Sequence, residues 1–409
     1  MAQDKDQKTL NVPPLRFPGF TDEWKEYSID EIANIYGRIG FRGYTSADLV
    51  EKGNGAISLS PSNITNNQLY TDKDNTYISF YKYEESPEIK IFVGDVIFVK
   101  TGSTVGKVAY VDYLECEATL NPQLVVFKDI KCDNYLFSQI LATTKIQQRV
   151  SKITVGGAVP TLSQTELGKV RLFLPGNQEQ SKIATLLSLI EKRIYAQNKI
   201  INNLQSLIKG LAKTHYNSCP TLVFVKIKEL GEPYTVMNLS KEQLSDSGVP
   251  CILYGELFTQ YGPVIEDVIN KTNVTNNLTL SRGRNLLFPS STTVDALSLI
   301  APSALTKPNI ILGGDMFGIE VSDEYSPEYL SYYFNFIGKH DLAKYAIGST
   351  IVHLHYKDIA EHTISIPSIG EQKSFVKLAS FVKRKIDIEQ KLLHNLIILK
   401  FHLLKDMFI

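Results

Sequence analysis

The sequence has few of the features that mark a secreted, metal-knotted or membrane-spanning protein. Its four cysteines, Cys116, Cys132, Cys219 and Cys251, form no CxxC pair, so neither a disulfide scaffold nor a zinc knot is expected. The first ten residues mix acids with bases and contain no apolar core, unlike a secretory signal. No apolar run approaches the roughly 18 residues that a membrane span needs. These absences predict a soluble, cytoplasmic protein that does not contact a membrane.

An excess of one charge is also absent. The 409 residues include 43 Lys and Arg and 43 Asp and Glu. This balance excludes a histone-like polycation, so any nucleic-acid surface must be a local patch. Hydrophobic residues make up 43% and charged residues 21% of the chain, which is ordinary for a globular protein. The length predicts two or three domains.

The chain contains a tandem repeat. Residues 155–216 align without a gap with residues 347–408 at a constant offset of 192 (367 − 175). The aligned pairs include Gly156 with Gly348, Leu162 with Leu354, and the Pro175…Glu179-Gln180 pattern with Pro367…Glu371-Gln372. The match fades in the segments that precede each copy. We therefore expect a common frame that carries two different inserts.

Each copy of the repeat ends in a heptad pattern. The apolar positions step alternately by three and four residues, as in the seam of a coiled coil. The pattern predicts two long helices that pair as an antiparallel coiled coil, with Gln197 and Glu389 meeting near the middle; an amphipathic core helix is the alternative. The predicted seam residues are Ile183, Leu187, Ile190, Ile194, Gln197, Ile201 and Leu204 in the first helix, and Val382, Ile386, Glu389, Leu393 and Leu396 in the second.

The inserts have the pattern of α+β globules. Short β-branched runs such as Val96–Val99 and Leu124–Phe127 alternate with turns, and Asp133–Ser151 and Pro327–Tyr345 have helical spacing. The predicted fold class is α+β, with two globules each followed by a long helix in a pseudo-twofold tandem repeat. The predicted boundaries are an N-terminal segment 1–23, a first globule 24–174, a first helix 175–216, a second globule 217–366 and a second helix 367–409.

No convincing catalytic or metal site is found. The Gly102…Gly106-Lys107 turn has three residues between its glycines and a valine after the lysine, whereas a P-loop needs four residues and then Ser or Thr. Asn121-Pro-Gln-Leu lacks the second proline and the aromatic residue of adenine methyltransferases, and no GxGxxG segment follows a strand to hold S-adenosylmethionine. His353 and His355 would share one face of a strand, but their repeat counterparts Thr161 and Ser163 favour polar surface positions.

The charges of the inserts are distributed unevenly. Acids are absent or rare around several groups of Lys, Arg, Ser and Thr that occur at matching places in the two halves. Such windows suit phosphate contacts and hydrogen bonds to base edges, although a solvated loop is the alternative for each one. The basic residues predicted to face DNA are Lys100, Lys107, Lys145, Arg149, Lys152, Arg282, Arg284 and Lys344. The hydroxyl residues predicted to reach base edges are Thr101, Ser103, Thr104, Ser290, Ser291, Thr292 and Thr293.

Four sequence elements occur in a family-specific order. They are the opening Leu15–Phe20 with Trp24, the strand and turn Gly94–Ala109, the turns Gly156–Leu162 and Gly348–Leu354, and the helix entries at Pro175 and Pro367. In this order, and duplicated, they resemble the specificity subunit of Type I restriction–modification systems. Three departures are Val352, where the family has a proline, Gly283-Arg284, which stands where the first half has Gly94-Asp95, and Pro175-Gly-Asn-Gln, which lacks the usual second proline.

The resemblance implies a non-catalytic reader of double-stranded DNA. Each globule would be a target-recognition domain for one half of a bipartite, asymmetric sequence. The helices would act as a spacer and as the dock for two methyltransferase subunits, which hold S-adenosylmethionine and methylate an adenine; two restriction subunits would join for cleavage. This chain would then hold no cofactor. Two alternatives stay open: a DNA methyltransferase or nuclease with unrecognised catalytic motifs, and a coiled-coil adaptor that does not bind DNA.

Overall fold

The computed structural model describes residues 10–38, 40–71 and 75–409. The chain divides into two compact units. Unit 1 contains the residues up to 197 together with 392–409, and unit 2 contains residues 198–391. Each unit therefore holds one globule and a part of both long helices. Positions 1–9 of the predicted N-terminal segment 1–23 lie outside the described residues, and the predicted domain boundaries stay a prediction.

The helices include two that are far longer than the rest. Among the described residues, the α-helices are α1 (Ile29–Ile32), α2 (Phe80–Glu84), α3 (Asn134–Leu141), α4 (Thr144–Ile153), α5 (Gln164–Gly168), α6 (Asn177–Ser218), α7 (Glu256–Thr259), α8 (Ala296–Leu299), α9 (Pro327–Phe336), α10 (Lys339–Ala343), α11 (Tyr356–Ile359) and α12 (Ile369–Asp406).

The globule of unit 1 is built from short strands. They are β1 (Lys25–Ser28), β2 (Asn34–Gly37), β3 (Leu49–Val50), β4 (Gly55–Leu59), β5 (Ile64–Thr65), β6 (Gln68–Leu69), β7 (Thr76–Ser79), β8 (Val96–Val99), β9 (Val108–Tyr110), β10 (Ala118–Leu120), β11 (Leu124–Lys128) and β12 (Arg171–Leu174). The main sheet has the order β2-β11-β8-β9-β6-β5, and a second sheet has the order β10-β4-β7-β3. β1 pairs antiparallel with β12, so the chain enters and leaves the globule side by side.

The globule of unit 2 repeats this plan with different dimensions. Its strands are β13 (Leu222–Lys226), β14 (Gly231–Thr235), β15 (Leu244–Ser245), β16 (Val249–Leu253), β17 (Val264–Ile265), β18 (Lys271–Thr272), β19 (Thr279–Arg282), β20 (Asn285–Pro289), β21 (Ser291–Thr292), β22 (Ser303–Leu305), β23 (Pro308–Gly313), β24 (Met316–Val321), β25 (Val352–His353) and β26 (Thr363–Pro367). The sheets have the orders β14-β24-β20-β22-β17 and β15-β18-β16-β23-β19, and β13 pairs antiparallel with β26. The first of these orders matches β2-β11-β8-β9 of unit 1.

The two long helices begin and end close to where the heptad pattern places them. Both start directly after a proline-containing segment, and the hydroxyl of Ser368 accepts a hydrogen bond from the Glu371 N–H at 3.4 Å, which caps the start of α12. All twelve predicted seam residues are buried or half-buried. Gln197 is 0% exposed and Glu389 is 7% exposed, and Glu389 forms an ion pair with Lys385 one turn earlier.

Within each unit, the segments of α6 and α12 run antiparallel. In unit 1, Ile183 and Leu187 of α6 share a core with Met407 and Phe408 beyond the end of α12, and eight residues after Ile183 the Glu191 carboxylate pairs with Lys400. In unit 2 the last turns of α6 contact the first turns of α12, because the ring centroids of His215 and Phe375 lie 5.3 Å apart. These contacts establish the antiparallel direction.

The single helices predicted over Asp133–Ser151 and Pro327–Tyr345 were wrong. Each is two helices, α3 with α4 and α9 with α10. In the first, Thr143 is extended (ψ 148°) and its hydroxyl donates to the Ile140 carbonyl at 2.7 Å. A threonine that bonds its own backbone in this way competes with the helix. In the second, Gly338 separates the helices, and a Cβ there would lie 2.8 Å from Cε1 of Tyr333.

Candidate nucleic-acid interface

In unit 1, a polar turn follows the central strand β8 and leads back into β9. It contains Thr101, Ser103 and Thr104, of which Ser103 is exposed and the other two are half-buried. Gly102 and Gly106 have φ angles of +104° and +98°, a region that glycine adopts without strain. The turn is therefore fixed by its glycines, and its hydroxyl groups lie on a defined backbone.

The turn of unit 1 is tied to the segment that leads into α5. The Leu162 N–H donates to the Lys100 carbonyl at 2.8 Å, and Thr101 forms an antiparallel bridge with Thr161. Gln147 of α4 donates to the Gly106 carbonyl at 2.8 Å. The structure thus brings together the turn, the Gly156–Leu162 segment and the basic helix α4.

In unit 2 the polar turn after β20 is joined to the segment before α11 by an equivalent hydrogen bond, but the side chains differ. The Leu354 N–H donates to the Ser290 carbonyl at 2.9 Å, and Ser291 pairs with His353 where β21 meets β25. Leu354 and Leu162 are repeat equivalents (354 − 162 = 192), as are His353 and Thr161. Ser290 therefore occupies the position in unit 2 that Lys100 occupies in unit 1. The residues that follow, Thr101–Thr104 and Ser291–Thr293, are structural counterparts.

The turn of unit 2 borders a cavity of about 700 Å³. Ser291, Thr292 and Thr293 line it together with Lys339 at the start of α10. Burial lowers the pKa of Lys339, and the nearby Asp295 carboxylate opposes that change. Three aromatic residues also line it: Tyr254, Phe258 and Tyr261. The cavity thus combines hydroxyls, a cation and aromatic faces, groups that can bind the edge or the face of a base.

Arg282 and Arg284 do not lie at this turn. Both flank the start of β20, whereas Ser290 follows its end, and the five residues of the strand span roughly 17 Å. Arg284 donates to the Val321 and Ser322 carbonyls at 2.9 and 2.8 Å. Arg282 pairs with Glu320 at 3.0 Å and lies 4.7 Å above the ring of Tyr234. These arginines make structural contacts within unit 2, and their predicted contact with DNA stays a prediction.

The other predicted basic residues are of two kinds: some contact groups within their own unit, and others are exposed. On α4, Lys145 donates to the Phe408 carbonyl at 3.0 Å and Arg149 to the Arg171 carbonyl, whereas Lys152 projects as an exposed side chain. Lys107 donates to the Ile64 carbonyl at 3.2 Å. Lys344 is exposed and pairs with Asp341 at 2.7 Å. Their predicted roles at DNA are likewise untested by these contacts.

Some residues at the junction were missed by sequence reasoning. The Gln123 carbonyl accepts the Lys100 N–H at 2.8 Å, and the Gln123 amide lies where a Cβ on Gly102 would approach within 3.2 Å. The signal was the Asn121-Pro-Gln-Leu segment, which had been considered only as a methyltransferase motif. Lys339 and the aromatic residues of the cavity carried no signal, because they come from segments far from the turn in sequence.

The long helices carry an exposed apolar stripe in duplicate. Leu189, Ile200 and Leu207 of α6 are 59%, 38% and 46% exposed, and their repeat equivalents Phe381, Leu392 and Leu399 of α12 are 57%, 36% and 46% exposed. Spacings of 11 and 7 residues keep the three positions of each helix on one face. None of these six residues belongs to the predicted seam.

His353 and His355 are exposed, as expected for surface positions, and their rings stack with centroids 6.1 Å apart. Within the described ranges, no helix combines the length and apolar character that crossing a membrane requires.

Comparison with known proteins finds one family along most of the chain. The family model described as the Type I restriction modification DNA specificity domain matches residues 21–206 and again residues 222–396. Each match spans one globule and a large part of the helix that follows it. The repeat seen in the sequence therefore corresponds to two copies of one domain.

Curated proteins and solved structures with similar chains agree with this match. A candidate specificity subunit for the type I restriction enzyme MjaX of Methanocaldococcus jannaschii is 23% identical over 341 residues, 77% of each chain. The MjaVIII specificity subunit of the same organism is 23% identical over 336 residues, 74% of this chain and 76% of its own. The crystal structure of a Type I restriction–modification S subunit from M. genitalium has a TM-score of 0.57 and 16% identity, with 97% of this chain and 99% of that chain covered. At that identity the structural likeness concerns the fold alone.

Proposed function

The chain belongs to the family of Type I restriction–modification DNA specificity subunits, which recognise a DNA sequence, and on that premise we propose that it reads a bipartite, asymmetric target without catalysing a reaction itself. The observation that carries the proposal is that each unit joins its polar turn to the segment before Leu162 or Leu354 in the same way. The first residues of the turns, Lys100 and Ser290, accept equivalent hydrogen bonds from Leu162 and Leu354. The side chains of the two turns nevertheless differ. One frame with two sets of polar groups suits two different half-sites.

Binding would combine two kinds of contact. Exposed and half-buried lysines near the turns, such as Lys100 and Lys152, grip phosphates and set the salt dependence. The hydroxyl groups Thr101, Ser103 and Thr104, with Ser291–Thr293, reach base edges and supply the sequence preference. With equal numbers of acids and bases in the chain, affinity for DNA depends on these local groups and not on net charge.

The helices would dock the catalytic partners. The stripe of Leu189, Ile200 and Leu207 recurs at Phe381, Leu392 and Leu399, so two copies of one partner can bind to equivalent surfaces. We assign these sites to two methyltransferase subunits, which hold S-adenosylmethionine, extrude the target adenine and methylate it. Two restriction subunits join the same complex where the DNA is to be cleaved.

The test is an exchange of one globule. Residues 24–174 are replaced by the corresponding segment of another specificity subunit with a known target, and modified adenines are mapped in the host genome. We expect one half of the methylated sequence to change and the other half, with the spacing, to persist. The reciprocal exchange of residues 217–366 should change the other half. If either exchange altered both halves, independent reading by the two globules would be refuted.

A further inference from the structure

The repeat-equivalent carboxylates Glu179 and Glu371 (371 − 179 = 192) have different surroundings in the two units. In unit 1, Arg16 donates to both oxygens of Glu179, from Nε at 2.7 Å and from Nη2 at 2.8 Å. The Glu179 side chain is only 1% exposed. This two-pronged ion pair balances the charge of Glu179 and satisfies both of its oxygens.

In unit 2 the equivalent carboxylate lies beside an imidazole and a thiol. Nε2 of His215 is 3.5 Å from Oε2 of Glu371. Sγ of Cys219, one helical turn beyond His215, is 3.8 Å from Nδ1 of the same ring. One ligand atom from each of the three residues can be chosen so that all lie within 4.8 Å of one another.

Two buried polar atoms of this cluster have no hydrogen-bond partner among the described residues. One is Nε2 of His215, and the other is the hydroxyl of Tyr329, a residue that is 2% exposed. The rings of Tyr329 and His215 meet edge to face, with centroids 6.3 Å apart. The Tyr329 hydroxyl is thus a buried donor without an acceptor among the described residues, which is costly.

Unit 1 shows that packing does not require these polar groups. The repeat equivalent of His215 is Met407 (407 − 215 = 192), and the structural counterpart of Tyr329 is Leu136. Leu136 and Tyr329 are both the third residue after the cap of their helix. Leu136 and Met407 belong to the apolar core of unit 1. The same frame is thus stable with apolar side chains at both positions.

The correspondence of the two helices is fixed by a matching pair of hydrogen bonds. The side-chain oxygen of Gln180 accepts the N–H of the cap residue Asp133 at 3.0 Å, and that of Gln372 accepts the N–H of the cap residue Ser326 at 2.9 Å. The comparison of Leu136 with Tyr329 therefore compares like with like.

We propose that His215, Cys219 and Glu371 bind a divalent metal ion of the zinc class, with the Tyr329 hydroxyl donating a hydrogen bond to one of the ligands. Imidazole, thiolate and carboxylate are the ligands of Zn²⁺ in proteins. Tetrahedral bonds of about 2.0–2.3 Å place ligand atoms roughly 3.3–3.7 Å apart. The 3.5 Å between Nε2 of His215 and Oε2 of Glu371 fits this spacing. One ligand atom from each of the three residues lies within 4.8 Å of the others, so a small side-chain movement brings the Cys219 thiolate to the same ion. The thiolate and the carboxylate balance the charge of the ion, and water takes the fourth position.

The ion would have the same structural role in unit 2 that Arg16 has in unit 1. Glu371 is in the first turn of α12, whereas His215 and Cys219 lie at the end of α6 and directly after it. A metal at this point clamps the two helix ends together. Because the ligands come from the frame and not from the turn, the site is structural and separate from the DNA interface.

The experiment uses the full chain. The purified protein is stripped with a chelator, and Zn²⁺ is titrated against a chromophoric competitor; Co²⁺ then serves as a spectroscopic probe. We expect one Zn²⁺ per chain and, with Co²⁺, a near-ultraviolet thiolate-to-metal band. Cys219→Ser should abolish that band and lower Zn²⁺ affinity at least about 100-fold, beyond the usual range of an outer-shell change. Tyr329→Phe should lower it by about 10–100-fold.

Two further variants separate binding from folding. Cys116→Ser removes a thiol outside the cluster and should leave the stoichiometry and the cobalt band unchanged. The double variant His215→Met with Tyr329→Leu installs the residues that unit 1 has at these places, so it should fold with unaltered circular dichroism and bind no Zn²⁺. If the unsubstituted chain bound no more Zn²⁺ than Cys219→Ser, or if its cobalt spectrum had no thiolate band, the proposed site would be overturned.

Discussion

At the scale of single residues, the structure separates basic side chains that the sequence could only group together. Arg284 and Lys152 both lie in windows poor in acids. The Arg284 guanidinium donates to carbonyls of Val321, Ser322 and Tyr325, more than thirty residues along the chain, whereas Lys152 is exposed on α4. Sequence patterns report which charges are nearby in the chain, and these partners come from the end of β24 and the residues after it, which only folding brings close.

Replacing each of the two residues with alanine should therefore affect a different property: folding stability for Arg284 and DNA affinity for Lys152. Arg284→Ala leaves carbonyls at the end of β24 without donors and should lower the free energy of unfolding by about 1–3 kcal/mol. Lys152→Ala should change it by less than about 0.5 kcal/mol. In the complex with methyltransferase subunits, Lys152→Ala should instead weaken binding to all DNA sequences and flatten the salt dependence by about one unit. Urea unfolding and binding titrations at several salt concentrations measure these effects.

A matched control for the DNA measurement is Lys169→Ala. Lys169 is exposed in the same unit but pairs with Glu166 at 2.7 Å, outside the acid-poor windows. It should leave both stability and the salt dependence nearly unchanged. An equal loss of DNA affinity in both lysine variants would contradict the placement of Lys152 at the phosphates.

At the scale of elements, periodicity predicted the long helices and failed at short-range breaks. The sequence predicts the helix segments 175–216 and 367–409, and the structure has helices at Asn177–Ser218 and Ile369–Asp406. The break between α3 and α4 was missed because one threonine in an extended conformation causes it without disturbing the apolar spacing. The sequence placed the two polar turns at matching places in the two halves, but it did not show the bridge that joins each turn to a distant segment.

The duplicated stripe on the helices leads to a prediction about stoichiometry. A charge in an apolar interface is costly because it must lose its water without gaining a partner. Leu189→Glu alone, or Phe381→Glu alone, should leave one methyltransferase subunit bound per chain, and the double variant should leave none. Native mass spectrometry of the purified complexes counts the subunits directly.

Phe224→Glu is the control for the stripe. Phe224 is 77% exposed on β13, so the same charge is introduced at an exposed aromatic residue of a strand and not of a long helix. It should keep two methyltransferase subunits. Two subunits bound to the double variant of Leu189 and Phe381 would show that the partner docks elsewhere.

At the scale of the whole molecule, the proposed function requires that pairing of the long helices set the spacing between the two reading globules. A heptad slip between the long helices would shift one globule by about 10 Å, which is about three base pairs. A device that fixes the register is therefore expected. Gln197 and Glu389 are the polar repeat equivalents (389 − 197 = 192) in otherwise apolar central seam stretches, and both are buried, at 0% and 7% exposed.

The last prediction is that Gln197 and Glu389 meet at the pseudo-twofold axis. In an antiparallel pair, equivalent residues can meet only at the axis, and the helix midpoints fall near these two positions. A polar pair there costs stability but penalises every other register. The variant with Gln197→Cys and Glu389→Cys should form a cross-link within one chain under mild oxidation, detected by mass spectrometry of its peptides. The variant with Ile183→Cys and Phe375→Cys should not, because Ile183 packs with Met407 and Phe408 in unit 1 while Phe375 packs with His215 in unit 2. A cross-link in the second variant but not in the first would require parallel helices and would leave the two globules unable to read separated half-sites.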